Sequence, residues 1–168
     1  PGVISVEGRA HSVLIHYLDK PAADYVKASV ETALEIHRVE GPGDILVFLT
    51  GEEEIESAVS LLQEEATDAA RRLIGGGSSG DGNNGNGGPE RFTVHPLYAG
   101  LSPAQQMEAF CPAPRYTRKI VVASNVAETS VTIEGVVYVV DCCFVKQKAY
   151  DPKRGMEALL TAETSQAS

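Results

Sequence analysis

The chain has 168 residues, 43% of them hydrophobic and 22% charged. That is enough for one domain with a real core, and there is neither an apolar run of membrane-spanning length nor a secretory pattern at the start. Cys111, Cys142 and Cys143 are odd in number and two are adjacent; this excludes a disulfide framework or a CxxC metal site and predicts free thiols in a reducing compartment. The formal charge of −9 excludes a uniformly basic nucleic-acid surface, though not a local groove that binds phosphate.

Residues 1–10 form a short leading segment, and Val13-Leu14-Ile15-His16-Tyr17 is predicted as a buried or half-buried strand. His11 and His16 have no Cys, Asp or Glu partner at metal spacing, so no metal is expected. Pro21 suits a helix start, and Tyr25, Val26, Val30, Ala33, Leu34, Ile36 and His37 give a helical apolar stripe. Gly41-Pro42-Gly43 breaks the chain. Asp44-Ile45-Leu46-Val47-Phe48-Leu49 is a continuous apolar run of the kind buried on both faces, which predicts a parallel sheet. It ends in Thr50-Gly51, at the carboxyl end of a strand, where open α/β sheets place their ligands. Glu52-Glu53-Glu54-Ile55-Glu56 then opens a helix reaching about Leu73, and its acids read as capping and a solvated face.

Residues 75–88 contain eight glycines with only small or polar companions. They predict a surface insertion over 75–90 without chemistry, because a phosphate loop would need a preceding strand and a terminal Gly-Lys-Ser/Thr. Phe92-Thr93-Val94-His95-Pro96-Leu97-Tyr98 follows as a strand, with Pro96 at its end or on a sheet edge. Ser102-Pro103 caps a helix that Pro112 and Pro114 terminate. Arg115-Tyr116-Thr117-Arg118-Lys119 reads as a short basic loop, either solvated or facing nucleic acid. Residues 111–168 carry 7 Lys/Arg against 6 Asp/Glu, whereas residues 1–110 carry 7 against 17.

Two apolar strands, Ile120-Val121-Val122-Ala123 and Val136-Val137-Tyr138-Val139-Val140, flank a polar crossover beginning Ser124-Asn125-Val126-Ala127-Glu128-Thr129-Ser130. A ligand site and an ordinary capped loop would both use these residue types. Beyond Asp141, residues 144–150 and 156–161 alternate in strand fashion around Asp151-Pro152-Lys153-Arg154-Gly155, a β-hairpin with a basic tip.

The crossover through Ile133 resembles motif V of the DEAH-box RNA helicases, Thr-Asn-Ile-Ala-Glu-Thr-Ser-Leu-Thr-Ile. Only Ser124, Val126 and Val131 depart from it. Residues 43–51 resemble motif IV. Leu97-Tyr98, Leu101, Gln105-Gln106 and Phe110 before Pro112 and Pro114 match a further family pattern. The chain is therefore similar to the second RecA-like domain of such a helicase, close to the splicing-associated members. The resemblance implies a RecA-like (P-loop NTPase-type) three-layer α/β fold over residues 11–168, with a mostly parallel sheet and a C-terminal β-hairpin.

It also implies roles. Thr50, Gly51, Ser124 and Asn125 would hold RNA phosphates, and Thr129 would support them. Ser130 would sense the nucleotide, Glu128 would orient the coupling loop, and Phe110 would lie against adenine. The alternative for Phe110 is a core phenylalanine closing a short helix. Lys146, Lys148, Lys153 and Arg154 would make the hairpin a basic bookend to the strand. The implied cofactor is ATP with Mg2+, bound mainly by an N-terminal RecA-like domain. The implied partners are RNA, that domain, a G-patch protein and spliceosome components, in the nucleus.

Two departures matter. Cys143 stands where the family more often has Gly, so a positive φ there would strain the turn. The last residues, Ser165-Gln166-Ala167-Ser168, fall where the family continues into motif VI, and neither a phosphate loop nor Asp-Glu-Ala-His occurs. The expectation is a piece of a longer enzyme, inactive alone. The rival reading is a non-catalytic module that holds RNA or protein.

Overall fold

The computed structural model describes residues 12–75, 91–124, 132–151 and 156–164. Helix α1 (Tyr25–Val39) starts later than Pro21 suggested, because Asp24 is the N-cap and its carboxylate accepts from the Lys27 amide at 3.0 Å. Strand β1 (Asp44–Leu49) and helix α2 (Glu52–Gly75) follow, then β2 (Arg91–Leu97) and α3 (Pro103–Phe110). Ser102 and Gln105 close a capping box at the start of α3. The remaining strands are β3 (Thr117–Ser124), β4 (Val136–Asp141), β5 (Phe144–Asp151) and β6 (Met156–Glu163).

Strands β1 to β4 form a four-stranded sheet in the order β2-β3-β1-β4, with every pairing parallel. Central β1 and β3 are the continuous apolar runs, as burial on both faces requires. Pro96 sits on the edge strand β2, where a missing N–H costs least. On one face Val30, Ala33 and Leu34 of α1 and Ile55, Ala58 and Leu62 of α2 pack against Ile45, Val47, Ile120 and Val122. On the other, Ala109 of α3 joins Leu97, Val121, Ala123 and Ile133. This is the expected three-layer α/β arrangement. Strands β5 and β6 form a separate antiparallel pair, the expected hairpin.

Two expectations fail. Residues 13–17 are not a strand: they are irregular, with Val13 80% and Leu14 83% exposed. An apolar run becomes a strand only when another strand satisfies its backbone, and among the described residues none pairs with it. The basic loop at 115–119 is also wrong in its second half. Strand β3 begins at Thr117, and Arg118 and Lys119 are each only 1% exposed. Lys119 Nζ donates to the Cys111 carbonyl at 3.1 Å and lies 4.0 Å from Asp44, while its amide donates to Asp44 at 2.8 Å. These cations hold the domain together and do not face a ligand.

The thiols of Cys111, Cys142 and Cys143 are free, as expected. Cys143 has φ +59, the left-handed conformation that glycine adopts without steric cost. Its amide is held by the Asp141 carboxylate at 2.8 Å. Relief of the Cβ strain outweighs the added freedom of the unfolded chain, so Cys143→Gly is expected to stabilise the domain by about 0.5–1 kcal/mol. Urea unfolding followed by circular dichroism checks this, and a lowered midpoint would contradict it.

Candidate nucleic-acid interface

In a parallel sheet all carboxyl ends lie along one edge, and the crevice there is the natural ligand position. Leu49 of β1 is in register with Ser124 of β3, so Thr50 and Ser124 leave neighbouring central strands side by side. They line a crevice of ≈ 280 Å³ together with Gly51, Glu52, Tyr98, Ala99, Val145 and Lys146. The fold thus brings together Thr50, Gly51 and Ser124, and it adds Lys146 from the base of the hairpin.

Asn125, Glu128, Thr129 and Ser130 lie outside the described residues, as do Lys153 and Arg154. Lys148 lies on β5, but its side chain is not among those described. Phe110 ends α3 and is partly buried against the cluster of Leu97, Ala109, Val121, Ala123 and Ile133. The core reading of Phe110 accounts for those contacts.

The electrostatics of the crevice centre on a residue that sequence reasoning passed over. Glu54 belongs to an acidic first turn that reads as a solvated face, yet its carboxylate accepts from Lys146 Nζ at 2.9 Å and 3.1 Å. Burial alone would push the Glu54 carboxyl up, but the hydrogen bond and charge of Lys146, together with the Thr50 hydroxyl, bring it below its ordinary value. The same hydrogen bond raises Lys146 above its ordinary range. The pair therefore stays ionised throughout the neutral range.

Tyr25 was likewise read as part of a core stripe. Its hydroxyl donates to Glu54 at 3.4 Å and shares a 3.1 Å hydrogen bond with Thr50 Oγ1. A phenol has one proton. The Thr50 hydroxyl also carries one proton, shared between Glu54 and Tyr25, and that proton must leave them before Thr50 can donate to a phosphate. The available signal was positional: Glu54 stands one helical turn beyond the Thr-Gly that ends a central strand.

The ion pair packs against Gly51: a Cβ there would lie 2.6 Å from Lys146 Nζ and 2.9 Å from Glu54 Oε2, so the two side-chain ends would have to shift to admit one. Glu52, Glu53 and Glu54 crowd the amino end of α2 and cancel the anion-attracting helix terminus. The described crevice can thus offer a phosphate hydroxyls, backbone and one already paired lysine. Among the described residues, no group of three or more His, Cys, Asp or Glu could hold a metal ion. These residues do not by themselves fit a magnesium nucleotide.

A parallel sheet covered by helices on both faces, with a small antiparallel hairpin appended, is a RecA-like architecture. No protein-family model matches the chain. It is 46% identical over 166 residues to the probable ATP-dependent RNA helicase DHX35 of Homo sapiens, covering 99% of this chain and 22% of that protein. It is 42% identical over 165 residues to the pre-mRNA-splicing factor ATP-dependent RNA helicase prp22 of Schizosaccharomyces pombe, covering 98% of this chain and 13% of the relative. The crystal structure of the E. coli DExH-box NTPase HrpB matches with a TM-score of 0.64 and 36% identity, over 88% of this chain and 16% of that one. Over nearly its whole length the chain is thus similar to ATP-dependent RNA helicases. It spans about a fifth of the length of the human relative.

Proposed function

We propose that the chain is the second RecA-like domain of an ATP-dependent RNA helicase and couples ATP hydrolysis to RNA translocation or unwinding. The observation that supports this is the register of Leu49 with Ser124, which leaves Thr50 and Ser124 lining one crevice at the strand ends. Two neighbouring donors suit a sugar-phosphate backbone, whose contacts carry no sequence information, so unwinding is largely sequence-independent. Asn125 and Thr129 extend these contacts. Glu128 and Ser130 connect the same loop to the nucleotide, and Phe110 lies against its base. Because the described residues do not by themselves fit a magnesium nucleotide, ATP and Mg2+ sit mainly on an N-terminal RecA-like domain of the same protein. Lys148, Lys153 and Arg154 give the hairpin a basic edge. Similarity to a named pre-mRNA-splicing factor supports a nuclear role with spliceosome components and a G-patch partner.

The test uses the full-length protein with single-stranded and duplex RNA. RNA is expected to stimulate ATP hydrolysis. Ser130→Ala is expected to retain hydrolysis while separating fewer base pairs per ATP. Hydrolysis that is absent or indifferent to RNA would leave the non-catalytic module as the better reading. Unchanged strand separation per ATP would remove Ser130 from the coupling role.

A further inference from the structure

The β5–β6 hairpin is a separate two-stranded sheet, and a lone hairpin of this kind is marginally stable and has no orientation of its own. Its described attachments to the body are few and all lie at its base. The Cys142 amide donates to the Phe48 carbonyl at 3.3 Å. The Phe144 ring lies against Tyr25 with centroids 5.1 Å apart. Lys146 reaches across 92 residues of sequence to Glu54. Tyr25 takes part twice, through its ring to β5 and through its hydroxyl to Glu54 and Thr50.

We propose that Glu54 is a positioning residue: with Tyr25 it clamps Lys146, and through it the β5–β6 hairpin, onto the floor of the Thr50–Ser124 crevice. Three observations separate this clamp from an incidental surface ion pair. The partners are largely withdrawn from water, with side chains 19% exposed for Glu54 and 31% for Lys146, unlike the Lys27–Glu31 pair at 68% and 66%. Both carboxylate oxygens are engaged. The absent side chain of Gly51 leaves the room in which the ammonium sits. The hairpin is therefore fastened to the same strand end that presents Thr50, so movement of that strand end moves the hairpin with it.

The pH window follows from the shifts. Glu54 titrates below its ordinary 4.5 and Lys146 above its ordinary 10.5. The clamp is lost only as pH falls through the depressed carboxyl value or rises through the elevated ammonium value. It should be insensitive to pH from about 6 to 9.

The functional consequence rests on the helicase reading, and the test keeps the two apart. In the full-length protein, Glu54→Gln is expected to speed amide hydrogen exchange across β5 and β6 while leaving the β1–β3 core protected. The charge-reversed pair Glu54→Lys with Lys146→Glu should restore that protection. In the same Glu54→Gln protein, base pairs separated per ATP should fall severalfold, with single-stranded RNA affinity unchanged. Unaltered hairpin exchange, or no recovery in the reversed pair, overturns the clamp. Severalfold tighter RNA binding by Glu54→Gln overturns it too, since Glu54 would then be competing with phosphate for Lys146. If the wild-type protein shows no RNA-dependent hydrolysis, the helicase reading fails while the exchange measurement still decides the clamp.

Discussion

Arg118→Met is expected to destabilise the domain by about 1–3 kcal/mol, the usual cost of taking the donor away from buried hydrogen-bonding groups. Urea unfolding should show this directly, and the thermal midpoint should drop by roughly 3–10 °C. The guanidinium donates to the carbonyls of Ile36 at 2.9 Å, Glu40 at 3.2 Å and Gly41; Ile36 also accepts from the Glu40 amide at 3.0 Å, and Glu40 and Gly41 lie just beyond the last turn of α1. It also stands over the Tyr138 ring, 5.4 Å from the centroid. Burial lowers the Arg118 pKa, opposed by Tyr138, Asp44 and Glu40, but an arginine keeps its proton. One side chain thus ties α1, β3 and the turn at Gly41 together. Methionine fills similar volume but removes all three hydrogen bonds, leaving the Ile36 carbonyl its Glu40 amide and the Gly41 carbonyl the Tyr138 hydroxyl at 3.4 Å. Arg118→Lys should fall between the two, since an ammonium supplies charge without the planar fork. A loss below about 1 kcal/mol for methionine would show that water replaces the guanidinium at little cost.

Thr50→Val in the full-length protein is expected to weaken single-stranded RNA binding about tenfold, the worth of one hydrogen bond to a charged acceptor. The change is nearly isosteric, and Tyr25 keeps its bond to Glu54, so the fold should hold. The loss should be similar for unrelated RNA sequences, because phosphate contacts do not read bases. The slope of log affinity against log salt should not change, because no cation has been removed. Ser124→Ala should behave alike, and the double variant should fall short of additivity, since the residues are neighbours at one strand junction. Fluorescence anisotropy with labelled oligonucleotides at several salt concentrations measures all three. A sequence-dependent loss, or none, would remove Thr50 from the RNA contact.

Much of the fold was legible because its signals are local. The runs at 45–49 and 120–123 are too apolar for any face to meet water, which dictates central parallel strands. The Ser102-Pro103 start and the Gly41-Pro42-Gly43 break are likewise encoded within a few residues. What escaped depends on partners far away along the chain. Arg118 and Lys119 have the composition of a solvated loop; only the α1 carbonyls, 77 to 82 residues earlier, make the arginine structural. Residues 13–17 have the composition of a strand and lack a partner among the described residues. Glu54 looked like one of several equivalent acids, and only the return of β5 singles it out. The glycine expected at position 143 was readable as a conformational demand, and the cysteine there meets it at φ +59.

The sheet order has a practical consequence. The chain leaves α2 at Gly75 and re-enters at Arg91, the first residue of an edge strand. In a parallel sheet that junction lies at the amino ends of the strands, the pole opposite Thr50 and Ser124. Residues can be added or removed between these points without altering either strand junction at the crevice. The connection at 76–90 is therefore a natural socket: a fluorescent or affinity domain spliced there would report on the domain from the pole opposite the Thr50–Ser124 crevice.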